Sequence, residues 1–174
     1  MCIKLIEPCL ELKDEFLAMV EEHLKYDVNP EIRDFKEAVD DFEGYVKKLV
    51  DYAKGKSLPK RWVPANNYWL VNKDSLVIGT SGLRHKLSPQ LRRYGGHIGY
   101  YIRPTQRNKG YGKHICGLML EKAGLLGLKR VLITCDDDNV ASAKIIESCG
   151  GVLKDKIMSK GHKVPTRRYW IEIE

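Results

Sequence analysis

Ile102-Arg103-Pro104-Thr105-Gln106-Arg107-Asn108-Lys109-Gly110-Tyr111-Gly112-Lys113 is the stretch on which the reading of this chain turns. A strand-like run, His97 to Ile102, stops at Arg103-Pro104, the chain turns, and a helical pattern opens near Gly112. The first N–H groups of a helix have no partner within it, and the helix dipole puts partial positive charge at the same end, so such a terminus attracts anions. Gly110 and Gly112 lack a Cβ, which lets the backbone take positive φ and come close to a phosphate. Arg107, Lys109 and Lys113 gather positive charge around that point. Together these features predict a pyrophosphate cradle. It is not a P-loop, since Lys113 is followed by His114 at the wrong spacing, and the G-x-G-x-x-G of a dinucleotide fold is missing.

Outward from the loop, hydrophobic period assigns the remaining elements. Residues 3–7 alternate as a short strand. Leu12, Phe16, Met19, Val20, His23 and Leu24 have helical spacing, and Phe35, Val39, Phe42, Val46, Leu49, Val50 and Ala53 predict a second helix ending near Gly55. Residues 55–67, with Pro59 and Pro64, read as loop. The period then drops to two: Tyr68–Val71, a turn at Asn72-Lys73-Asp74, Leu76–Leu83 and His97–Ile102 form a three-strand meander. A helix over residues 112–126 follows, then an apolar interior strand at Val131–Cys135 and a helix from Asn139 to Cys149 that stops at Gly150-Gly151. Strands at Val152–Ile157 and Tyr169–Ile173, about a turn at Lys160-Gly161-His162, close the chain. This order predicts one α/β domain over residues 1–174, with a central mixed, mostly antiparallel sheet flanked by helices.

Composition agrees with that class. The 174 residues are 43% hydrophobic and 30% charged, enough apolar surface for a packed core. No run approaches the roughly 20 apolar residues of a membrane-spanning helix, and Glu7 comes too early for a secretory signal, so a cytoplasmic protein is expected. The five cysteines form no CxxC pair and read as free thiols, with neither a disulfide framework nor a metal site expected. The net charge of +7 would suit a polyanion, but no basic run is interleaved with aromatics and no zinc-finger spacing occurs, so nucleic acid is not the expected partner.

Arg107-Asn108-Lys109-Gly110-Tyr111-Gly112 resembles the R/Q-x-x-G-x-G/A signature of GNAT acetyltransferases, preceded by their usual strand ending in x-P. Asn139-Val140-Ala141-Ser142, with Gly150 after the helix, is similar to the family's N-x-x-[AS]…G element. The resemblance implies an acetyl-coenzyme A-dependent N-acetyltransferase acting on a primary amine of a small molecule or peptide by direct attack. It implies that the backbone of Ile102 and Arg103 pairs with the pantetheine arm. The N–H groups of Arg107, Asn108, Lys109, Gly110, Tyr111, Gly112 and Lys113 would hold the pyrophosphate, and Asn139 and Ser142 would face the coenzyme. Asn139 reads equally as a helix N-cap, and Ser142 as a small helix residue.

Acetyl transfer also needs a base for the amine and a proton for the departing thiolate. Among histidines and acids His97 is the first candidate base, Asp136 the second and His85 the third. Many relatives carry a tyrosine seven residues after the asparagine as general acid, and here that position is Ile146. Tyr111 and Tyr169 are the substitutes the sequence offers. The carboxylates Asp27, Glu31, Asp34, Glu37, Asp40, Asp41 and Glu43 would suit a cationic amine or simply a solvated helix face. A non-catalytic acyl-coenzyme A sensor is the alternative function, and self-association as a homodimer is compatible with either.

Overall fold

Among the described residues alternating apolar positions make seven strands: β1 (Ile3–Ile6), β2 (Ala65–Asn72), β3 (Val77–Arg84), β4 (Ile98–Ile102), β5 (Arg130–Asp136), β6 (Val152–Ile157) and β7 (Thr166–Glu172). Six α-helices among the described residues connect them: α1 (Lys13–Tyr26), α2 (Arg33–Asp40), α3 (Phe42–Ala53), α4 (Pro89–Arg93), α5 (Tyr111–Leu125) and α6 (Val140–Ser148). This computed structural model describes residues 3–26, 33–158 and 163–173. The strands form one mixed sheet in the order β1-β2-β3-β4-β5-β7-β6, in which only β4 and β5 run parallel. Among the described residues no helix is long and apolar enough to cross a membrane.

Each face of the sheet has its own core. Trp69, Val71 and Val77 pack against α1, α2 and α3, where Phe16 is completely buried among Phe35, Phe42, Tyr45 and Trp69, its ring stacked 4.5 Å from Trp69. Losing such a ring costs about 3–5 kcal/mol in a typical core. On the opposite face Leu70, Ile78, Ile98, Ile133 and Tyr169 meet α5 and α6 through Ile115, Met119 and Ile146.

The 35–53 segment is two helices rather than one. Asp41 interrupts it by accepting the Gly44 N–H at 3.0 Å and so capping α3, an N-terminal cap within a run whose apolar phase never breaks. Val39, expected inside, is 53% exposed, whereas Ala38 is fully buried. The loop before β4 contains the unexpected α4, begun by the Ser88 cap and Pro89, a five-residue helix too short for periodicity to register. β2 and β7 begin at Ala65 and Thr166, three residues earlier than Tyr68 and Tyr169. β7 also inserts between β5 and β6, leaving β6 as the edge. The Lys160-Gly161-His162 turn and Cys2 lie outside the described residues.

Candidate active site

The parallel strands β4 and β5 touch at one pair only, Ile98 with Ile133. His97 closes that end, its N–H donating to the Leu132 carbonyl at 2.7 Å. On its other side β4 pairs with β3 along its whole length, with bonds from Arg84 N–H to the His97 carbonyl and from Arg103 N–H to the Ile78 carbonyl. Antiparallel alternation therefore turns the backbone groups of Tyr100 and Ile102 away from β3, toward a gap that β5 does not fill.

The glycine loop stands at the open end of this gap. After the Pro104–Gln106 turn, Asn108 and Gly110 take left-handed conformations, φ 60° and 83°. Gly110 is the N-cap of α5 and brings no capping side chain to the helix start. A Cβ built on Gly110 would project into open space with no atom within 4 Å, so the helix terminus is left uncovered at that point. Lys109 donates to Gln106 at 3.2 Å and the Arg107 Nε to the Ile102 carbonyl at 3.1 Å, holding both cations on the loop. This set of left-handed N–H groups and cations suits a pyrophosphate.

Two sequence readings change here. Gly112 is buried and helical, without positive φ, and its missing Cβ accommodates Ile145 of α6, whose Cδ1 would lie 2.5 Å away. Its lack of a side chain serves helix packing, while its N–H remains one of the first of α5. Arg103 has its N–H occupied by Ile78, and its buried guanidinium turns to α1, bonding Glu22 at 2.7 Å and Glu15 at 3.2 Å. Thr105 also donates to Glu22, so Arg103 and Thr105 anchor the loop to α1, and of the Ile102–Arg103 pair it is Ile102 that presents its backbone to the gap. Burial raises the Glu22 carboxyl, but donation from Arg103 and Thr105 more than offsets it and holds the group below its ordinary value.

Asn139 caps α6, its Oδ1 accepting the Ser142 N–H at 3.0 Å. Ser142 Oγ lies 3.2 Å from the Tyr100 hydroxyl, which burial pushes above its ordinary range. Tyr100, absent from the sequence candidates, thus reaches from the open stretch of β4 to the first turn of α6. Ile146 is completely buried in the core under that helix. Tyr169 donates to Glu147 at 2.9 Å from a fully buried ring, and Tyr111 is buried at the helix start. Cys149, at the α6 C-cap, places Sγ 3.8 Å from the Lys113 carbonyl.

The base candidates separate. His97 is buried, and its Nδ1 accepts the Leu132 N–H at 2.9 Å. With Nδ1 as acceptor, the neutral ring carries its hydrogen on Nε2 and has no lone pair left for a substrate proton. Burial, then Arg92 and Arg84, lowers its pKa to about 4. His97 is a strap between β4 and β5, which corrects its assignment as base. Asp136 is exposed at the end of β5, where its carbonyl accepts the Asn139 N–H. His85 pairs with Asn66 at 2.6 Å and burial lowers its pKa.

A hollow of about 420 Å³ opens on the other face of β4. Its floor includes Gly82 and Gly99, paired directly across β3 and β4, and a Cβ on Gly99 would meet nothing within 4 Å. Neither glycine has positive φ, so it is the space left above the sheet that they contribute. Phe35, Tyr45, Tyr52, Trp62 and Tyr101 wall it. Sequence reasoning passed over both glycines because nothing local distinguishes them from ordinary weak strand positions.

The profile of the acetyltransferase (GNAT) domain matches residues 12–152. Among curated proteins none matches the chain. Solved structures do share its fold. The microcin C7 self-immunity acetyltransferase MccE, in complex with acetyl-CoA and AMP, superposes with a TM-score of 0.68 at 18% identity, covering 98% of this chain and 92% of that one. RimL, a ribosomal L7/L12 alpha-N-protein acetyltransferase in complex with coenzyme A, gives 0.68 at 14% identity over 98% and 94%. A spermidine N-acetyltransferase SpeG chimera from Vibrio cholerae and hSSAT gives 0.65 at 13% identity over 98% and 95%. With the domain profile spanning the α1-to-β6 region and the same α/β sheet in these structures, the chain belongs to the GNAT acetyltransferase family.

Proposed function

We propose that this protein transfers an acetyl group from acetyl-coenzyme A to the primary amine of a small molecule or peptide, by direct attack. The observation that carries this reading is the single Ile98–Ile133 contact, which leaves the rest of the β4 edge open beside an uncapped helix start. Acetyl-coenzyme A, bound there, supplies a thioester carbonyl that the amine nitrogen attacks and a thiolate that leaves with a proton. The chain's own groups divide the work. The backbone of Tyr100 and Ile102 offers the pairing that a missing strand would make, suited to the amides of a pantetheine arm. The first N–H groups of α5, with Arg107, Lys109 and Lys113, neutralise the pyrophosphate. Asn139 and Ser142 hold the start of α6 against the same gap. On the other face of β4 the aromatic hollow positions the acceptor. Water in the hollow takes the amine's proton.

The fold neighbours named for acetyl-CoA or coenzyme A complexes support the donor. Calorimetry with acetyl-coenzyme A, followed by a thiol-release assay over a panel of amines and peptides, tests the reading. Binding and amine-dependent thiol release are expected. Binding without release across the whole panel would favour the acyl-coenzyme A sensor instead.

A further inference from the structure

The hollow beside β4 has a chemical character of its own. Trp62 stands at its mouth, 55% exposed, its ring packed edge-on to Tyr52 at 5.7 Å. Large apolar rings held half in water are surfaces for a flat ligand. Two of the aromatic walls already carry a cation over their rings. The Lys48 ammonium lies 5.5 Å from the centre of Tyr45 and 5.9 Å from that of Tyr52, and it pairs with Glu37 outside the hollow. Arg61 and Arg84 also line the space. Arg84 is fixed by donation to the Gly95 and Gly96 carbonyls, at 2.8 and 3.1 Å, and Arg61 is exposed at the rim at φ 73°. Among the described lining residues three are cations and none is a carboxylate. Of the acids read as suiting a cationic amine, Asp41 caps α3 and Glu37 pairs Lys48, while Asp27 and Glu31 lie outside the described residues.

Resting on the acetyl-transfer reading above, we infer that the acceptor is a primary amine on an aromatic body that also bears an anion, a carboxylate or a phosphate, directed toward Arg61. A volume of about 420 Å³ lies within the roughly 300–1,000 Å³ of small-molecule sites and suits one substituted ring with its amine and anion. The aromatic walls stack the ring, and the cations attract the anion and repel a polyamine.

The test compares thiol release from acetyl-coenzyme A with acceptors differing by one anion. 2-Phenylethylamine is set against phenylalanine, tyramine against tyramine O-phosphate, and spermidine serves as the polycation. At least tenfold higher kcat/KM for the anionic member of one pair supports the inference, and which pair shows it separates carboxylate from phosphate. Arg61→Glu should erase that preference, and Arg61→Gln should weaken it, both with unchanged acetyl-coenzyme A affinity. Spermidine as best acceptor, no preference in either pair, a preference that survives Arg61→Glu, or no release from any probe by a protein that binds acetyl-coenzyme A overturns it. Failure to bind acetyl-coenzyme A would instead overturn the acetyl-transfer reading itself.

Discussion

The Tyr100 hydroxyl lies 3.2 Å from Ser142 Oγ and joins the open stretch of β4 to the first turn of α6. It is the tyrosine hydroxyl nearest in structure to the job that Ile146 cannot do, because it stands beside the gap while Tyr169 is bound to Glu147. Tyr100→Phe keeps the ring and is expected to lower kcat by roughly 10²- to 10⁴-fold, the range for a positioned proton donor. Coenzyme affinity should hold within about twofold. Tyr111→Phe and Tyr169→Phe should each cost less than tenfold, under about 1.4 kcal/mol of barrier. Steady-state kinetics on the three variants decides, and full activity in Tyr100→Phe would assign the thiolate's proton to solvent.

Gly110 and Gly112 should fail in different ways. Gly110→Glu puts bulk and negative charge into the open space at the start of α5, so the folded variant should show no rise in melting temperature with coenzyme A. Gly112→Val pushes against Ile145 and should destabilise by about 1–3 kcal/mol as an overpacked contact. Thermal melts with and without coenzyme A distinguish the two outcomes.

His97 predicts a pH signature in stability rather than in catalysis. Its folded pKa of about 4 lies below the ordinary 6.5, so the unfolded chain binds the extra proton between those values. The stability it contributes is therefore complete above about pH 6.5 and is lost as pH falls toward 4. His97→Ala should melt earlier at pH 7, since the buried Leu132 N–H loses its acceptor, and its melting temperature should fall less on acidification. An unchanged pH dependence in the variant would remove His97 as its source.

Gly99→Leu should fill the floor of the acceptor hollow from a strand position with free space above it. Amine-dependent thiol release is expected to drop at least tenfold, about 1.4 kcal/mol, with acetyl-coenzyme A affinity unchanged. Gly99→Ala, a smaller intrusion, should lie between. Parent-like kinetics in a folded Gly99→Leu variant would place the amine elsewhere.

Sequence alone determined most of the elements and the candidate anion loop. The period-2 and period-3.6 runs are local, and so is the coupling of a strand end, a left-handed glycine and a cationic helix start, which needs only neighbours along the chain. Tertiary structure decided what depends on register and burial. Pairing at Ile98 alone opens the β4 edge, and Gly82 opposite Gly99 hollows the sheet face. The same strand order turns His97 from a titrating base into an acceptor for Leu132 and brings Tyr100 to Ser142, 42 residues away. Nothing in the local sequence marks these four relationships, because each is set by which strand lies beside which, and by how far water is excluded between them.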